Sequence, residues 1–138
     1  MLGSYGAGAF DKSAAEIVAF HADSRRILTV NALSGKIDVL DASDAATPTK
    51  VGEASGGENT TINSVAVRRD GLAVATVEPE NKTDNGELIF FDASADELGA
   101  VLGRVALGAL PDMVTITPDD AYALVANEGE PAEDYSYD

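Results

Sequence analysis

Three stretches of this chain align over sixteen residues without a gap: Glu16–Asn31 (EIVAFHADSRRILTVN), Asn63–Glu78 (NSVAVRRDGLAVATVE) and Asp112–Asn127 (DMVTITPDDAYALVAN). Each opens and closes on an acid or amide. Each has Val at its third position (Val18, Val65, Val114) and Asp at its eighth (Asp23, Asp70, Asp119). The starts lie 47 and 49 residues apart. A period of that size restricts the chain to folds that stack a unit on copies of itself, namely solenoids, propellers and arrays.

Within the unit the chemistry favours strands. Val18/Phe20, Val65/Val67 and Val114/Ile116 put large apolar groups on alternate positions, the period of a half-buried strand. A polar turn follows, in which the shared Asp accepts a backbone N–H two residues on. Second apolar runs come next: Ile27–Val30, Leu72–Val77 and Tyr122–Ala126. A further gapless repeat, Gly35–Ser43 (GKIDVLDAS) with Gly86–Ser94 (GELIFFDAS), supplies a third strand that Asp41 or Asp92 ends. Fourth strands are expected around Thr49–Ala54 and Ala100–Leu107. Four short antiparallel strands in about 48 residues match one β-propeller blade. The fold expected is therefore all-β.

That unit fits into the chain about 2.9 times, whereas closed propellers have about 4–8 blades. The expected division is 12–60 and 61–110 as blades and 111–138 as a blade that stops after its second strand. Residues 1–11 form the last strand of a preceding or closing blade, because Leu2–Asp11 (LGSYGAGAFD) resembles Leu102–Asp112 (LGRVALGALPD). The ring is incomplete, and either further blades or self-association would close it.

Composition narrows the partners. The chain has 24 acids against 9 bases, a net charge of −15, so nucleic acid and anionic membrane are poor partners. A salt-adapted source would explain the same excess. There is no cysteine, hence no disulfide or thiolate metal site. No run is long and apolar enough for a membrane helix, and no signal peptide is visible.

The strings SYGAGAFDKSAAEIVAF, TVNALSGKIDVLDAS, KTDNGELIFFDAS, ALPDMVTITPD and LVANEGEP resemble the N-terminal part of the choice-of-anchor I proteins. That group includes bacterial secreted or surface proteins and the mesenchyme-specific cell-surface glycoproteins. The resemblance implies a YVTN/WD40-like propeller that is periplasmic, extracellular or on the cell surface, and members several times longer than this chain. Some relatives carry alkaline-phosphatase or phytase-like names, but the resemblance brings no agreed catalytic residues with it.

If the first strand of each unit is innermost, its opening residue shares a face with the loop between the second and third strands. The ligand-binding face expected is therefore Glu16, Asn31, Asn63, Glu78, Asp112, Asn127 and Glu128. The loops there differ in length between units, which marks a binding face. Two of them are acidic: Glu78, Glu80, Asp84, Asn85 and Glu87 in one, and Glu128, Glu130, Glu133, Asp134 and Asp138 in the other. Clustered carboxylates suit Ca²⁺, with Glu78, Glu80, Asp84, Glu87, Glu128 and Glu130 as candidate ligands, although no EF-hand spacing is present. Solvated loops of an acidic protein would look the same. His21, the single histidine, is expected at an exposed turn, a placement that argues against a histidine triad within the chain, and one histidine excludes a multi-histidine zinc site there. Two functions stay open: a binding or scaffold module, with or without Ca²⁺, and part of a metal-dependent phosphoester hydrolase.

Overall fold

The computed structural model describes residues 2–8, 11 and 14–131. Its ten strands are β1 (Ala15–His21), β2 (Arg26–Asn31), β3 (Lys36–Asp41), β4 (Thr49–Ala54), β5 (Thr60–Val67), β6 (Leu72–Pro79), β7 (Asn85–Asp92), β8 (Val101–Ala109), β9 (Pro111–Ile116) and β10 (Ala123–Asn127). They form two four-stranded antiparallel meanders, β1-β2-β3-β4 and β5-β6-β7-β8, and a pair, β9-β10. The expected tail acids Glu133, Asp134 and Asp138 lie outside the described residues. No helix of the described residues is long and apolar enough to cross a membrane.

Alternation along each strand sorts the side chains onto two faces, and the faces pack in a fixed order. Leu28, Val30, Ile37 and Val39 of the first sheet meet Val65, Ala73, Ala75, Val77, Ile89 and Phe91 of the second in one core. The opposite face of the second sheet, through Val74, Leu88 and Phe90, meets Val114, Ile116 and Val125 of the pair. We call the face turned to the next sheet A and the face turned to the preceding sheet B. The contacts are then first-sheet A on second-sheet B, and second-sheet A on third-sheet B.

The repeat is also written in the bonds between sheets. His21 to the Arg69 carbonyl, Asn63 to the Pro111 carbonyl and Arg104 to the Gly56 carbonyl each span 48 residues. The Val114 N–H donates to Ser64 Oγ across 50. Every such bond ties a unit to the next, and none is local.

The gapless alignment nevertheless hides a slip. The β1–β2 turn leaves residues 22–25 between the paired His21 and Arg26, and the β9–β10 turn leaves 118–121 between Thr117 and Tyr122. The β5–β6 turn leaves only 69–71, closed by Arg68 N–H to the Leu72 carbonyl at 2.8 Å. Asp70-Gly71 permits this shorter turn because Gly71 takes φ +92°. The longer turns put Arg25 and Asp120 in the left-handed region instead. Consequently Val74, not Ala75, is the counterpart of Leu28, and both lie on an A face.

The shared aspartates act as expected at two turns. Asp70 accepts the Leu72 N–H and Asp119 the Ala121 N–H. Asp41 and Asp92 end the third strands in the same way, each taking a Ser N–H at 2.8 Å.

Candidate functional site

Each sheet turns the free edge of its first strand the same way. β1, β5 and β9 are all edge strands, and β5 packs against both β1 and β9. Between them runs a trough of about 600 Å³, lined along its length by residues 16–20, 63–67 and 112–116. One end of the trough is polar and carries Glu16, Asn63 and Asp112. The other end is apolar and carries Phe20, Val67 and Ile116.

The backbone explains why the polar ends are presented. In β5 the register passes from Ile62↔Val77 to Ser64↔Thr76, so Asn63 is the extra residue of a bulge. In β9 it passes from Pro111↔Asn127 to Met113↔Ala126, which leaves Asp112 extra. In β1 the extra residue falls between Ala15 and Val18, at Glu16 or Ile17. A bulge re-aims a side chain and recurs beside active sites. The polar opening position of the repeat is thus the bulge residue in the second and third units and falls within the bulged stretch of the first.

Some residues of that set are brought together. Asn63 donates to Glu78 Oε2 at 2.8 Å, which joins the start of a first strand to the end of its second. Asn127 pairs with Pro111, and the Glu128 N–H donates to the Leu110 carbonyl. Asn31 departs from the expectation: it is buried and turns away from the trough to donate to Asp38 Oδ2 at 3.0 Å. Of the candidate Ca²⁺ ligands, Glu87 is paired with Arg104 at 2.6 Å, and Glu78 lies 4.0 Å from Lys82. Glu80, Asp84, Glu128 and Glu130 are exposed. Among the described residues no three acidic or histidine side chains converge on one ion position.

His21 is not at an exposed turn. It is the buried last residue of β1, with Nδ1 2.7 Å from Ser24 Oγ and Nε2 3.0 Å from the Arg69 carbonyl. The slip shortens the neighbouring turn, whose Arg69 carbonyl lies within hydrogen-bond distance of Nε2 at the ring edge.

Asp38 was not singled out by the sequence, yet it is the most deeply buried charge described, 1% exposed. Lys50 Nζ sits 2.6 Å from its Oδ1, and the Tyr5 hydroxyl donates to Oδ2 at 3.4 Å. The hydrogen bond to Asp38 is the main cause that raises the Lys50 pKa. Burial, followed by the Asp38 charge, raises that of Tyr5. The signal was present in the second repeat, where Asp38 stands in the column of Ile89. A carboxylate in a column otherwise filled by a fully buried Ile is a break of pattern that demands partners.

A choice-of-anchor I domain model matches residues 16–138. No curated protein matches the chain. Among solved structures the chain is similar to a protein of unknown function from Bacteroides caccae, with a TM-score of 0.54 at 10% identity over 80% of this chain and 37% of that one. At that identity the likeness shows the fold alone, and this chain spans little more than a third of that protein's length. The family match takes in all the strands but for Ala15, together with Glu16, Asn63 and Asp112 at the polar lip of the trough, and the chain belongs to the choice-of-anchor I domain family.

Proposed function

We propose that this chain is a binding or scaffold module of a surface-associated protein, built from propeller blades, with its ligand held at the polar end of the trough. The observation that carries the reading is the repeated bulge: three successive first strands present Glu16, Asn63 and Asp112 at one end of a common trough. A bulge re-aims the side chain it carries, so bulges at or beside these three polar positions support presentation of Glu16, Asn63 and Asp112. Family membership supports a relation to surface anchoring. The one-directional stacking of sheets supports blades of a ring, two complete and one half-formed.

The lip offers carboxylate and amide oxygens, which suit ligands rich in hydroxyl or ammonium donors. A Ca²⁺ ion at the lip, or metal-assisted phosphoester hydrolysis there, draws support only from the acid-rich loops.

The test is a glycan and peptide array probed with the wild type and with a Glu16→Gln/Asp112→Asn variant. Both substitutions keep side-chain size and remove charge. Binding to a hydroxyl- or amine-rich ligand that falls tenfold or more in the variant, at an unchanged melting midpoint, supports the lip. Binding that is equal in both proteins would place the site elsewhere.

A further inference from the structure

The chain has six asparagines and no glutamine, and only Asn85 is followed by glycine. The others precede Ala32, Thr60, Ser64, Lys82 and Glu128, whose Cβ atoms crowd the main-chain nitrogen between the two residues. Packing requires the glycine. A Cβ on Gly86 would fall 2.5 Å from Pro111 Cγ and 2.6 Å from the Val77 carbonyl oxygen. The first unit carries Ser34-Gly35 in the same columns, where no amide is present to react.

Asn85 is also free to move. Its side chain is exposed and makes no hydrogen bond among the described residues. Asn31, Asn63 and Asn81, by contrast, are held by side-chain bonds to Asp38, Glu78 and Thr83. Asn85 is the first residue of β7 and follows the exposed stretch 81–84. The register of β7 on β6 begins only at Val77↔Glu87, and on β8 it jumps from Asn85↔Ala109 to Glu87↔Ala106. Gly86 therefore has no partner residue in either ladder, and swinging Asn85 out of the strand gives up one registered pair. Strand ends with so few contacts open at low cost. The single Asp-Gly pair, Asp70-Gly71, is built the other way. Arg68 and the Leu72 N–H hold the Asp70 carboxylate in place and ionised, which makes it a poor target for a nitrogen.

We propose that Asn85-Gly86 is a site of spontaneous deamidation, and that its isoaspartyl product strains the junction between the second and third sheets. The Gly86 main-chain nitrogen gives its proton to solvent and bonds to Asn85 Cγ, and the side-chain nitrogen leaves as ammonia. Water then opens the succinimide ring. Opening at Cγ gives aspartate, and opening at the main-chain carbonyl gives isoaspartate. One water is consumed for each ammonia released, and nothing is oxidised or reduced. Either product adds a carboxylate to a loop that already carries Glu78, Glu80, Asp84 and Glu87. Isoaspartate also adds one atom to the main chain just before Gly86, where Pro111 and the Val77 carbonyl leave no space. Pro111 belongs to β9, so the added length presses on the contact between the sheets.

The experiment holds the full chain, folded, in warm and mildly alkaline buffer, beside a sample unfolded in urea. Peptide mapping by mass spectrometry and an isoaspartyl methyltransferase assay follow both. In the folded protein Asn85 is expected to convert about tenfold or more faster than any other asparagine, because only its neighbour lacks a Cβ. Asn85→Ser, which copies the first unit, is expected to fold normally and to abolish both the mass gain and the methyl acceptance. An Asn85 that stays intact in the folded protein overturns the proposal, whether or not the unfolded chain converts, as does another asparagine that reacts first. The strain is read separately, by comparing the aged, isoaspartate-rich protein with fresh Asn85→Asp, which has the charge but not the longer main chain. A lower melting midpoint in the aged protein supports it, and equal midpoints overturn it.

Discussion

At the scale of single residues, Asp38 carries the largest consequence. Its carboxylate satisfies the buried Asn31 amide and the Lys50 ammonium together. Breaking a buried pair costs about 3–5 kcal/mol because the remaining partner is stranded. Lys50 is 38% exposed and can rehydrate, so Asp38→Ala is expected to lose less, about 2–3 kcal/mol by urea unfolding. The middle unit shows the apolar solution to the same position, with Ile89 in the core and Val101 packed against it. Asp38→Ile with Lys50→Val is therefore expected to recover most of that loss, and a double variant as unstable as Asp38→Ala would refute the comparison. This residue was legible in principle. The repeat alignment set it against Ile89, but alternation rewards apolar agreement and passes over a single polar misfit. His21 misled for the opposite reason: its column holds Arg68 and Thr117, and neither reveals that a shortened turn one unit away supplies a carbonyl.

At the scale of elements, the strands were readable and the turns between them less so. The expected fourth strand over Thr49–Ala54 forms at those limits, because turn residues and β-branched runs are local signals. The slip in the second hairpin and the three bulges are not local, since each is defined against a partner strand. The turns yield two predictions. Gly71→Ala forces a side chain to φ +92° and 3.0 Å from Ser94 Oγ, so a loss of about 1–2 kcal/mol is expected. Arg25→Gly removes a left-handed penalty (φ 51°) and is expected to gain up to about 1 kcal/mol; a reversed order of melting midpoints would count against the turn assignment. Acid supplies the second. Hydrogen bonds from Ser43 and Ser94 lower the pKa of Asp41 and Asp92, the Thr117 hydroxyl lowers that of Asp119, and Arg68 brings Asp70 down to about 2. A folded pKa below the unfolded value of about 3.9 means the unfolded chain binds the proton more tightly. The stability these groups add is complete above that value and is lost as pH falls towards 2. The melting midpoint is expected to drop steeply below about pH 4. Asp70→Asn, which keeps an acceptor oxygen but no charge, should show a shallower drop.

At the scale of the whole molecule, two electrostatic effects oppose each other under added salt. Exposed ion pairs such as Lys36–Glu53 and Arg69–Asp120 weaken, but pairs of this kind contribute only about 0–1 kcal/mol each. The net charge of −15 is a repulsion felt by the entire compact state, and salt screens it over about 8 Å at physiological strength. Excess acid outweighs paired acid here, so the melting midpoint is expected to rise with NaCl. Raising NaCl from about 0.05 to 0.5 M shortens the Debye length roughly threefold, so the rise should be visible across that range, and a midpoint that falls instead would show that the paired acids outweigh the unpaired ones.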